Sequence, residues 1–531
     1  MSLVAFSFLP VCLPFALMVG GWYLGRDKTT SVPQKATWLS LGLLMLFLIT
    51  LPVSYFFADA WQYAKWLRHA WLNQIMLGLV AIMGWVLITF SKNYMTGQAN
   101  LHRYYRWLIL TLASVGITVT TNHLVIFWLG WLCISLSLNN LLTFYPDRPR
   151  AILAAHKKFI LARIAELALL TSFVLLYQQH QTLYISTILN ALTEQSNAGL
   201  ALHWQDQTAA CLIAFAALIK CAQLPFHGWL IQVVESPTPV SALLHAGVIN
   251  LGGYMLLLFA PLVAQSSVAI WILLVIAGLS TLISALVMTT RISVKVRLAW
   301  STSAQMGLML IEFALGLYEL VLLHLLAHSF YKAYSFLNSG NAVNDTLRLS
   351  LSKAAAKKET PSGKVWCFAI VFSIASVTLV RTVFGFEGAF STWWLFALAL
   401  TLLIIQWTAC EHAPSTVYTL TVGVFLCVIY AILKIAMEYT LPVPMTQRIA
   451  AFSLADIWAM TLFTLLFVLN ALLHYQPHWA VMRRLSTVLF AGLYIDEWFT
   501  RAVLKIWPVI LPARAKDQNK APTTLNLPEN F

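Results

Sequence analysis

The stretch KCAQLPFHGWLIQVVESPTPVSALLH, residues 220–245, sets a lysine, two histidines, a glutamate and three prolines between two apolar runs. Farther on, LLHLLAHSFYKAYSFLNSG (322–340) places His324, His328 and Lys332 at i, i+4 and i+8, a single stripe along one helical face. In KKFILARIAE (157–166), Arg163 and Glu166 stand three residues apart and share a face. Histidine titrates near neutrality, and a lysine removed from water becomes a group that takes and gives a proton. The chemistry these residues could do is reversible proton transfer. The candidate pathway is Lys220, His245, His324, His328, Lys332, Arg163 and Glu166, with Glu235 at the end of the second half-helix.

Each candidate has a plainer competing account. Arg163 and Glu166 could be a structural ion pair near the membrane boundary. A lone buried histidine such as His245 could be a hydrogen-bonded packing residue, and Glu235 a solvent-facing helix end. Lys220 could snorkel to the interface, but it lies deep in its apolar run, and Pro225 breaks the helix just after it. The motif stretches show no hydrolytic triad, nucleotide-binding loop, quinone or flavin motif, so no enzyme activity and no cofactor are expected. The seven cysteines lie singly, and Cys-Glu-His at 410–412 is too small to hold a metal and reads as a loop.

The elements that must position these groups follow from composition. Of 531 residues, 60% are hydrophobic and only 10% charged, and mean hydropathy is +0.77. A soluble globule carries about 25% charged residues, so this chain cannot cover its surface in water. Apolar runs of bilayer length recur from end to end, and only helices or closed barrels satisfy their backbone in lipid. Barrel-type alternation is absent, which leaves an all-α polytopic membrane protein of about 13–15 transmembrane helices. Spans are expected near 3–24, 36–57, 70–90, 105–121, 123–145, 157–178, 207–235, 239–260, 267–289, 296–316, 318–342, 364–384, 391–409, 416–437 and 451–474. The first has no basic leader region or small-residue cleavage site, so it reads as a retained span.

The net charge of +14 comes mostly from loops and is a topology signal rather than a nucleic-acid signal. Odd-numbered loops carry the lysines and arginines: Arg26, Lys28 and Lys35 in the first, Lys92, Arg103 and Arg106 in the third, and Arg148, Arg150, Lys157 and Lys158 in the fifth. The ninth holds Arg291, Lys295 and Arg297, and the eleventh Arg348, Lys353, Lys357, Lys358 and Lys364. Among the early and middle even loops only the second is basic, with Lys65 and Arg68. The positive-inside rule then puts the odd loops in the cytoplasm and the N-terminus outside. After the last span, GLYIDEWFTRAVLKIWP (492–508) suits an interfacial amphipathic helix.

K-x-A-Q-x-P-x-H-x-W-L followed by PTPVSALLHA resembles the signature of the antiporter-like subunits of respiratory complex I and of Mrp cation/proton antiporters. The likeness extends from about residue 90 to 345 and includes FWLGW (127–131), KKFILARIAE, RLAWSTSAQMG (297–307) and HLLAHSFYKAYSFLNSG (324–340); YIDEWF (494–499) is similar to a later family stretch. The resemblance implies two inverted five-helix repeats, each with a broken helix, and a central polar chain that conducts protons. It makes Lys220 the broken-helix lysine, His245 its relay neighbour, Lys332 the central lysine with His324 and His328 beside it, and Arg163 and Glu166 the family's Arg/acid pair. The expected layout is N-terminal helices in 1–90, a first repeat in 91–260 broken near 220–235, a degenerate second repeat in 261–409, C-terminal helices in 410–475, and an interfacial helix and tail in 476–531. Two departures stand out. The glutamate that follows L-G-W in the family is Leu132 here, and VFSIASVTLVRTVFGFEG offers only Arg381 and Glu387 where a second broken helix belongs. Glu235 is the expected electrostatic substitute for the missing acid, or a residue of a partner interface.

WLIQVVE (229–235), HAGVINLGG (245–253) and the short tail resemble the DabB-type branch, membrane subunits of two-component inorganic carbon transporters. That resemblance implies a DabA-like zinc-binding, carbonic-anhydrase-like partner and an inner-membrane location. Ion flow through this chain, of protons or another cation, would then drive uptake of CO2 or bicarbonate by the partner. The alternatives are a subunit of a cation/proton antiporter or of an NADH-quinone oxidoreductase, and a non-conducting scaffold.

Overall fold

The structure is a computed structural model that describes residues 9–56, 65–68, 70–351, 362–408, 416–440 and 451–509. A helix falls at every expected span: α1 Leu9–Arg26, α2 Val32–Phe56, α3 Trp71–Tyr94, α4 Leu101–Thr120, α5 Leu124–Leu142 and α6 Pro149–His180. There follow α7 in two pieces, Trp204–Lys220 and Gly228–Gln232, and α8 in two pieces, Thr238–Ala246 and Leu251–Leu258. Next come α9 Ser267–Thr289, α10 Val294–Ala314, α11 Tyr318–Leu337, α12 Gly363–Val383, α13 Ser391–Thr408, α14 Thr416–Thr440 and α15 Leu454–Tyr475. Two short helices close the described chain, α16 Ala480–Phe490 and α17 Glu497–Ile506.

Ten of these segments are long and apolar enough to cross a membrane. The other five, α1, α4, α7, α10 and α13, are shorter or carry more charge. No strand occurs among the described residues beyond isolated bridge pairs, and the chain is a multi-pass α-helical membrane protein. Lys353, Lys357, Lys358 and the Cys-Glu-His at 410–412 lie outside the described residues.

Burial sorts the helices by role. All of Thr238–Ala246 and Leu251–Leu258 is buried, so α8 is the hub. Helices at the edge instead show apolar side chains outward, as α14 does with Val417, Tyr418, Phe425, Ile432 and Tyr439. Apolar surface facing out in this way is stable only against lipid.

The break in α7 is built, and its loose backbone groups are met. After Lys220 the chain turns through Ala222, at φ 49°, and a cis Leu224–Pro225 bond. The Leu224 N–H donates to Ser280 Oγ at 3.0 Å, and Ser303 Oγ donates to the Ala222 carbonyl at 3.1 Å. Gln223 Nε2 donates to the carbonyls of Cys221 and Ser303. Gln223 within the break and Ser280 and Ser303 of α9 and α10 therefore satisfy the backbone groups the break frees, as irregular backbone at membrane depth demands. A second interruption, not foreseen in the 239–260 run, follows His245: Val248–Asn250 tightens to a 3-10 turn. Asn250 Nδ2 spans that turn by donating to the Ala246 carbonyl and to Ser329 Oγ of α11.

The second repeat differs from what the family resemblance implied. α12 is one continuous helix of 21 residues, with Arg381 at its end donating to the Gly388 carbonyl at 2.9 Å. It has no proline between Gly363 and Val383 to interrupt its ladder, so no broken helix forms there. The amphipathic segment expected at 492–508 also differs in shape. It turns sharply at Gly492, Leu493 and Tyr494, all at positive φ, and only Glu497–Ile506 is α-helical. This helix packs back onto α6, where Trp507 stacks on His156 at 3.7 Å.

Candidate functional site

The first cluster forms where α5, α6 and α7 meet. Arg163 reaches Glu166 Oε2 at 2.6 Å, and Lys220 Nζ stands 3.5 Å from Glu166 Oε1. Lys220 also lies over the Trp131 ring, 5.2 Å from its centre. Glu166, with only 3% of its side chain exposed, is therefore the carboxylate of Lys220. Leu132 of α5, one residue beyond Trp131, adds no acid beside it. Glu235 does not take that part: it is half-buried and its backbone carbonyl accepts from Arg148, with no ion pair to its carboxylate among the described residues.

One more base, Lys158, joins this cluster. Lys158 Nζ donates to the Ser135 carbonyl at 2.8 Å, and Arg163 donates to Ser135 Oγ at 2.9 Å, so both converge on one residue of α5. Lys158, Arg163 and Lys220 share a single carboxylate. The cluster thus holds more cations than countercharge.

A seam of small buried hydroxyls runs inward from the break. Ser280, Thr281, Ser284, Thr302 and Ser303 are all buried, and Ser284 donates to Ser303 at 3.2 Å. On its far side lies the second cluster, gathered on one turn of α10. Lys332 Nζ donates to the Leu298 carbonyl at 3.2 Å and to Ser301 Oγ at 2.8 Å. His245 Nδ1 meets Thr302 Oγ1 at 3.2 Å, and its ring stacks on Phe336 at 4.3 Å.

From Lys332 the stripe on α11 continues as expected. His328 lies within electrostatic reach of His324, Lys332 and His245, and its ring centre is 5.9 Å from that of His324. Neither nitrogen of His328 has a protein hydrogen-bond partner, nor has Nε2 of His245. His324 Nδ1 in turn meets Glu312 Oε2 of α10 at 3.0 Å.

The structure thus brings together seven of the eight expected residues, and it adds others. Lys158 reads in sequence as a loop charge, yet it is buried. Glu312, Glu319 and Lys434 are lone ionisable residues inside apolar runs, and that was their signal. Glu319 and Lys434 pair at 3.5 Å. Asp496, in the C-terminal segment, meets Lys157 Nζ at 2.6 Å and accepts from Gln232 at 3.2 Å. Its carboxylate also presses on Gly228, where any Cβ would collide with it, so only glycine fits the start of the second half-helix. No group of His, Cys, Asp and Glu able to hold a metal occurs among the described residues.

A polytopic helical fold with a broken α7 and a lysine–acid cluster beside the break defines a class. Residues 121–410 match the family described as NADH:quinone oxidoreductase/Mrp antiporter, TM, and the chain belongs to that family. Within it, the sequence is 45% identical over 477 residues to the probable inorganic carbon transporter subunit DabB of Hydrogenovibrio crunogenus, covering 90% of each chain. It is 36% identical over 458 residues to the probable subunit DabB2 of Halothiobacillus neapolitanus, covering 82% of this chain and 80% of that one. Its fold is similar to a chain in the structure of the Mrp complex from Dietzia sp. DQ12-45-1b, with a TM-score of 0.53 at 20% identity. That match covers 95% of this chain and 55% of the other, so the chain spans about half the length of the Mrp subunit.

Proposed function

We propose that this chain is the proton-conducting membrane subunit of an inorganic carbon transporter, energising a zinc-binding, carbonic-anhydrase-like partner of the DabA type. It would sit in the inner membrane with its N-terminus outside. The observation that carries the proposal is the Glu166–Lys220 pair at 3.5 Å, together with the gathering of His245 of α8 and Lys332 of α11 on the Leu298–Thr302 turn of α10. A proton on Lys220 passes to Glu166 or onward along the seam. His245 and Lys332, both held to the Leu298–Thr302 turn, take it up. His328 and His324 then pass it along α11 to Glu312. Each group both binds and releases a proton, and none undergoes any other covalent change. The names of the DabB relatives support carbon uptake over cation extrusion.

The test is co-expression with a DabA-type partner in a host that lacks carbonic anhydrase. Growth in air should be restored, should stop on adding an uncoupler, and should fail with Lys220→Ala or Lys332→Ala. Growth that survives both substitutions overturns the pathway. Restored sodium tolerance without carbon-dependent growth would instead favour a cation/proton antiporter.

A further inference from the structure

α14 looks peripheral, yet one buried stripe runs along it: Thr419, Gly423, Cys427, Ala431 and Lys434. A lysine on a lipid-facing helix ordinarily snorkels outward. Lys434 lies six residues before the helix end at Thr440, roughly 9 Å of helical rise, within reach of the interface. It turns inward instead and is 1% exposed.

Its inward surroundings repeat those of Lys220. A carboxylate, Glu319 Oε1, lies 3.5 Å from Lys434 Nζ, the same separation as Glu166 from Lys220. Aromatic rings flank it, with Phe386 at 4.6 Å and Trp393 at 5.9 Å, as Trp131 flanks Lys220. Glu319 opens the helix that carries His324, His328 and Lys332, five residues before His324, or about 7.5 Å along the axis. Glu312, already paired to His324, comes from the adjoining end of α10. Glu319 stands off the histidine face, and Tyr430 of α14 lies within electrostatic reach of both Glu312 and Glu319, so the end of the histidine column and the Lys434 pair adjoin the same stretch of α14.

We propose that Lys434 and Glu319 form the second half's lysine–acid proton-transfer pair, the part that the unbroken α12 does not supply. This rests on the proton-conducting function proposed above. In the step itself an N–H bond of the Lys434 ammonium breaks and an O–H bond forms on Glu319. The amine is left neutral until the next proton arrives, and no electrons change hands. The competing role is a static clamp that ties α14 to α11.

The test uses the full chain with the partner that copurifies from native membranes, reconstituted in liposomes holding a pH-sensitive dye under an imposed potential. Lys434→Arg keeps the charge and the pairing but holds its proton too tightly to pass it on. The double variant Lys434→Met/Glu319→Gln removes both charges and leaves no orphan, which suits a clamp. If the pair transfers protons, both variants fold, as judged by gel filtration, yet lose at least about tenfold in proton flux, as Lys220→Met does. Flux within about twofold of wild type in Lys434→Arg, or in the double variant, overturns the inference. When Lys220→Met alone is inactive, the conduction proposal stands and only this pair is lost. Wild-type flux no greater than that of empty liposomes would sink both.

Discussion

Glu166, itself buried, sits between Arg163 on its own helix and Lys220 on α7. A carboxylate so placed cannot be removed quietly, because it would leave the buried Lys158 and the part-buried Arg163 and Lys220 without their counterion. Glu166→Gln should therefore cost about 3–5 kcal/mol of stability and stop proton flux. The thermal midpoint in detergent and liposome flux measure the two losses separately. Adding Leu132→Glu to Glu166→Gln returns an acid to the neighbouring helix and should restore part of the flux. Wild-type flux in Glu166→Gln alone would show that Lys220 works without it. The residue-level chemistry was largely legible in sequence, because lysine, histidine and proline inside apolar runs are rare enough to be noticed. Which acid faces which lysine was not. That depends on how α6 rotates against α7, and a gap at Leu132 drew attention to Glu235 when Glu166 was already on the right face.

Among the elements, the C-terminal segment acts as a strap beneath the broken helix. Asp496 binds Lys157, whose side chain has no exposed surface, and the Asp496 carboxylate fills the space a side chain at Gly228 would need. Arg291 holds the turn from the other side by donating to the carbonyls of Phe490 and Leu489. Asp496→Ala should loosen the strap, and trypsin should then cut faster at Arg501 and Lys505. Lys157→Met in the same chain should recover part of the lost stability, with a coupling of about 0.5–3 kcal/mol between the two sites. Strict additivity would mean that the two residues do not act on each other. The apolar helices were legible because a run of bilayer length is a local property of the chain. The strap's docking was not, since Lys157 and Asp496 are 339 residues apart and only tertiary structure joins them.

Taken whole, the molecule has unequal halves. α7 is broken where α12 is continuous. The proposed orientation sets the basic odd loops on the cytoplasmic side, and it is open to a direct check. An impermeant maleimide should label Asp27→Cys in the first loop only from the cytoplasmic face. It should label Ala198→Cys, in the sixth, only from outside. The opposite pattern would invert the topology and with it the direction of the pathway. The halves' inequality was partly visible in VFSIASVTLVRTVFGFEG, which lacks a lysine and a proline. Lys434 went unremarked because a charge near the end of an apolar run looks like an ordinary boundary residue.

The hydroxyl seam between the two clusters has a further consequence. A serine or threonine carries a single hydrogen to donate. Once a proton has hopped through such a group, its O–H is left aimed backwards and must swing round before the next can follow. On the proposed pathway, traffic across the seam would be a two-stroke cycle of hop and reset, the reset set by how readily Thr302 and Ser303 release the Leu298 and Ala222 carbonyls to which they donate. Anything that stiffens the packing of α9 against α10 would throttle the flow without touching a charged residue.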